Sequence, residues 1–73
     1  MKCIVKIIWD DEAQVWYAYS DDIPGLVLED DSFDALIYRM QLAAPEMLEL
    51  NCDYVGPVHL IFEAFRIAMG IAS

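Results

Sequence analysis

Ser20-Asp-Asp-Ile-Pro-Gly-Leu26, followed at once by Val27-Leu-Glu-Asp-Asp-Ser-Phe-Asp-Ala35, is the stretch on which the fold turns. Pro24-Gly25 is a turn dipeptide: proline holds φ near about −65°, and glycine takes the positive φ of a type II turn without steric cost. Tyr17-Ala-Tyr19 enters the turn with alternating character, and Leu26-Val-Leu28 leaves it as a short apolar run. The segment therefore reads strand, turn, strand. Asp31 and Ser32 then stand as candidate N-caps of a helix. Asp34, in its first turn, suits the positive end of the helix dipole.

Working outward, residues 2 to 9 form a first strand. Cys3, Val5, Ile7 and Trp9 make one wholly apolar face, while Lys2, Ile4, Lys6 and Ile8 make a mixed one. Asp10-Asp-Glu-Ala-Gln14 reverses the chain into a second strand, Val15 to Ser20, rich in the aromatics that strands favour. Val15, Tyr17 and Tyr19 share one of its faces, Trp16 and Ala18 the other. Leu26 to Glu29 is a short third strand. A helix over about Phe33 to Leu50 carries Leu36, Ile37, Met40, Ala44, Met47 and Leu48 at core spacing. Pro45 conflicts with it, so the helix either kinks there or a second one starts there. Asn51 suits a left-handed helix end. His59 to Met69 reads as the last strand, apolar on both faces, and Gly70 to Ser73 as a loose tail.

A right-handed crossover through the helix brings the last strand back beside the first and parallel to it. The expected fold is α+β, a two-layer βββαβ sandwich with sheet order 3-2-1-4. One helix covers one sheet face. The other face, with Ile4, Ile8 and Trp16 beside the outer face of the last strand, has no cover within the chain.

The 73 residues imply a single domain, 1–73, with a small core. An apolar fraction of 59% exceeds the usual 45–50% or so, which favours a partner over a merely dense core. That partner is another copy, in a dimer or larger homo-oligomer, or a different protein. The net charge of −9, from 13 acids against 4 bases, argues against direct nucleic-acid binding. It favours a basic protein partner, or serves only solubility. The acids cluster in Asp10-Asp-Glu12, Asp21-Asp22 and Glu29-Asp-Asp31. Cys3 and Cys52, with the single His59, do not make a zinc site, and no cofactor or metal is expected. With no signal peptide and no run approaching a membrane span, the chain reads as cytoplasmic with reduced thiols.

Tyr17, Asp22, Ile23, Pro24, Gly25, Leu26, Asp31, Ser32, Asp34 and Ala35, in this order of elements, resemble the N-terminal domain of HicB antitoxins and the related DUF1902 proteins. The resemblance covers most of the chain. It implies a partial ribonuclease-H-like fold without nuclease activity, and neutralisation of a small basic HicA-type toxin that cleaves mRNA, in a type II toxin–antitoxin system. HicB antitoxins usually carry a C-terminal DNA-binding segment, and this chain stops at Ser73, so no DNA binding is carried over. Pro45 fits the DUF1902 variant better than a typical HicB protein.

An antitoxin-like binding module is therefore expected, with Asp10, Asp11, Asp21, Asp22, Trp16, Ile61 and Phe65 as candidate partner-binding residues. Pro24, Gly25, Asp31 and Ser32 are expected to be structural. The alternative is a self-associating protein with no toxin partner. Ribonuclease-H-like chemistry would need carboxylates converging on two divalent ions. Here the acids sit in turns and at the helix start, and no enzyme activity is expected.

Overall fold

The computed structural model describes residues 1–72; Ser73, the end of the expected tail, lies outside them. The elements run β1 (Lys2–Asp10), β2 (Val15–Tyr19), β3 (Val27–Asp30), α1 (Phe33–Cys52) and β4 (His59–Phe65). They form one four-stranded sheet in the order β3-β2-β1-β4, with β1 antiparallel to β2, parallel to β4, and β3 antiparallel to β2. This is the α+β βββαβ arrangement expected from the pattern.

The apolar face of β1 is the centre of the core. Cys3, Val5 and Ile7 are fully buried, together with Ala18, Ile23, Leu36, Met40, Ala44 and Leu48. The last four recur at helical spacing, and α1 lays that stripe over β2 and β3. Burying a side chain the size of Leu or Met contributes about 1.5–3 kcal/mol. Ser32, not Asp31, is the N-cap: its hydroxyl accepts from the Ala35 N–H at 3.2 Å. Asp30 in turn accepts from the Ser32 N–H at 2.9 Å.

Pro45 neither ends α1 nor starts a second helix, because a single helix spans Phe33–Cys52. Pro45 and Gln41 both lie on the solvent side, so the Gln41 carbonyl that loses its partner stays open to water. The helix ends two residues later than expected. Its left-handed terminal residue is Asp53, at φ 51°, not Asn51. The N–H groups of Asp53 and Tyr54 both return to the Leu48 carbonyl. Asn51 instead remains helical and donates its side-chain amide to the Pro24 carbonyl at 2.9 Å.

Two further expectations are corrected. Trp16 pairs with Trp9 across the hairpin, so it lies on the covered face and packs edge-on against Phe33 of α1, with centroids 5.0 Å apart. The uncovered face of β2 carries Tyr17 and Tyr19, their rings stacked at 6.3 Å. The last strand also ends early, at Phe65 rather than Met69, and it is not buried on both faces. It is an edge strand whose core-side residues Leu60 and Phe62 are only partly covered, because a cleft of about 410 Å³ separates them from Gln41 and Pro45 of α1.

Candidate functional site

The decisive stretch works as a bolt between strand and helix. β2 pairs with β1 only from Lys6 to Asp10, so residues 2–5 have no β2 backbone beside them. Side chains take over there. The Ser20 hydroxyl donates to the Ile4 carbonyl at 2.6 Å, and the Asp22 carboxylate accepts from the Ile4 N–H at 2.8 Å. Ser20 also accepts from the Asp22 N–H. Two residues thus satisfy both backbone groups of Ile4, as a strand neighbour would.

The turn follows directly. The Leu26 N–H donates to the Ile23 carbonyl at 3.2 Å, and Gly25 sits at φ 82°, a type II turn. Ile23 and Leu26 on either side are buried. A Cβ on Gly25 would lie 2.9 Å from the Met47 methyl and 3.2 Å from the Asn51 amide nitrogen. The turn is therefore held close against the C-terminal half of α1.

Behind the sheet this bolt leaves a shallow cleft of about 300 Å³, lined by Ile4, Lys6, Asp21, Asp22 and Glu63. Register explains the grouping. Ile4 lies beside Ile61, and Lys6 lies between Tyr19 and Glu63. One row further, Ile8 lies between Tyr17 and Phe65. Ile4, Ile61 and Phe65 are each about half exposed. The face is an apolar stripe with carboxylates at one end.

The expected partner-binding residues divide into three groups. Asp21, Asp22 and Ile61 meet at or beside the cleft, with Phe65 on the same face. Asp10 and Asp11 lie at the opposite end of β2, in the hairpin. There the Asp10 carboxylate accepts from the Glu12 and Ala13 N–H groups, and Asp11 accepts from the Trp9 indole N–H at 3.2 Å. Trp16 is on the other face. Pro24 and Gly25 form the turn and Ser32 caps α1, while Asp31 precedes the cap without serving as it. Alternation places Lys6 and Glu63 on the open face, though not among the expected partner-binding residues; Tyr17 and Tyr19 join them there in place of Trp16, once the register is known. Sequence reasoning missed the backbone role of Asp22.

Two groups titrate away from their ordinary values. The Ser32 N–H is the main influence holding the Asp30 carboxyl below the usual 3.8, helped by the Arg39 guanidinium 3.3 Å away. Arg39 also donates to the Glu29 carbonyl at 2.7 Å and so ties α1 to β3. Burial pushes the Cys3 thiol up, and the nearby Asp22 charge adds to it. Cys3 is buried and Cys52 is exposed. Among the described residues, no three His, Cys, Asp or Glu side chains are grouped to hold a metal ion, and no helix is long and apolar enough to cross a membrane.

No curated protein is detectably similar to the chain. Among solved structures, the crystal structure of the hypothetical protein TTHA1013 from the extremely thermophilic bacterium Thermus thermophilus is similar. It is 38% identical, with a TM-score of 0.80, over 96% of this chain and 100% of that one. The family model for the domain of unknown function DUF1902 matches residues 2–71. The chain belongs to the DUF1902 family.

Proposed function

We propose that this chain is a non-enzymatic protein-binding module that captures a small basic protein, in the manner of an antitoxin. The observation that carries the reading is the uncovered sheet face, where exposed Ile4, Ile61 and Phe65 adjoin the carboxylates of Asp21, Asp22 and Glu63. A greasy centre with charge at its rim is the make-up of a protein interface. A net charge of −9 speeds encounter with a cationic surface and repels nucleic acid. The likeness of the Asp22-Ile-Pro-Gly25 segment to HicB antitoxins supplies the partner's chemistry: a basic mRNA-cleaving toxin of the HicA type, met in the cytoplasm.

The test is inhibition of RNA cleavage. The purified chain is titrated into a basic ribonuclease of this type, encoded in an adjacent reading frame. Stoichiometric loss of cleavage is expected. Undiminished cleavage in excess of the chain, at low salt, refutes the antitoxin reading.

A further inference from the structure

Among the described residues, β4 is an edge strand with β1 as its one strand neighbour. Edge strands are ordinarily blunted by shortness, charge or proline. The opposite edge, β3, follows that rule: it has four residues, two of them acids, Glu29 and Asp30. β4 does not. It has seven residues, no lysine or proline, and Glu63 as its one acid. Beyond it the chain continues as Arg66-Ile-Ala-Met-Gly-Ile-Ala72 without regular secondary structure. Ile67, Met69 and Ile71 are 99%, 93% and 98% exposed, and they alternate with small residues at strand spacing. The segment projects from the body. The radius of gyration is 13.9 Å, against roughly 11 Å for a compact chain of this length.

We infer that β4 and residues 66–71 pair antiparallel with the same segment of a second copy, joining two sheets into one across a two-fold axis. Four observations select a second copy as the occupant. The edge that needs a strand and the strand that needs an edge are contiguous in one chain, so two-fold pairing satisfies both at once. A register centred on Ala64 sets Ile61 against Ile67 of the second copy, on the open sheet face, and keeps the two Glu63 side chains apart, which direct pairing would oppose. Charge permits the approach: between residues 54 and 72 the charged residues are Glu63 and Arg66, of opposite sign, although the whole chain carries −9. Residues 66–72 also join no strand pairing among the described residues, so their backbone N–H and C=O groups can complete a second ladder. Arg66 stays 4.3 Å from the Trp9 ring centroid, which fixes the root of the segment.

This inference does not depend on capture of a basic partner, and one experiment separates the two. Sedimentation equilibrium of the full chain at micromolar concentrations is expected to give twice the 8.3 kDa chain mass, with a Tm that rises with concentration. Ile67→Lys with Met69→Lys, at positions already in water, is expected to halve the mass while leaving the circular dichroism spectrum unchanged. Asp21→Lys is expected to leave the doubled mass intact. A wild-type chain at single mass at about 100 µM, a doubly substituted chain that still pairs, or loss of pairing on Asp21→Lys would each overturn the inference.

Discussion

Replacing Gly25 with alanine tests the bolt described above. At φ 82° an L-residue is strained, by about 1–2 kcal/mol. The new Cβ would also lie 2.9 Å from the Met47 methyl and 3.2 Å from the Asn51 amide nitrogen. The methyl is the end of a flexible side chain and can swing away at little cost. Asn51 cannot move as freely, because its amide is held to the Pro24 carbonyl at 2.9 Å. Loosening that bond adds roughly 0.5–1.5 kcal/mol. The expected loss is about 1.5–3.5 kcal/mol. For a domain of this size each kcal/mol moves Tm by about 4–8 °C, so Gly25→Ala should lower Tm by roughly 6–28 °C in a thermal melt followed by circular dichroism. A Gly25→Ala melt that overlays the wild type would refute the turn's role.

The other expectations concern single interactions. Asp22→Ala removes the acceptor of the Ile4 N–H and should lower stability by about 1 kcal/mol in urea unfolding; Asp21→Ala, with no such bond, should be nearly neutral. Because the Asp30 carboxyl is held below its unfolded value of 3.8, its contribution is present above that pH and lost as pH falls through the lower folded value. Tm of Asp30→Asn should therefore fall less steeply than wild type as pH drops below about 4, and parallel curves would contradict the Ser32 contact. A thiol reagent should label Cys52 in the native chain and reach Cys3 only on unfolding; rapid native labelling of both would deny the burial of Cys3.

Much of the fold is legible in the sequence because local signals agree. Pro24-Gly25 sets the reversal, Ser32 caps the helix, and the odd residues of β1 form the core. What is not legible depends on register between elements. Alternation puts Trp16 and Ala18 on one face of β2. Which face meets the core follows only from the hairpin pairing Trp9 with Trp16: odd residues of β1 stand beside even residues of β2. A loop one residue longer would have reversed this. The role of Asp22 is hidden for a similar reason. Its partner is a backbone N–H 18 residues earlier, and no local spacing rule connects them. The end of β4 is misread because apolar alternation continues through Ile67 and Met69, whereas pairing with β1 stops at Phe65, beside Ile8.

Binding to a basic toxin of the HicA type, measured by titration calorimetry from about 50 to 500 mM salt, tests the proposed role of the open face most directly. Asp21 is the residue to reverse, since it lines the cleft while Asp22 also holds Ile4. Asp21→Lys should weaken affinity roughly tenfold, about 1.4 kcal/mol, with Tm unchanged and with the deficit shrinking as salt rises. Equal affinity for wild type and Asp21→Lys at every salt concentration would contradict capture through this face.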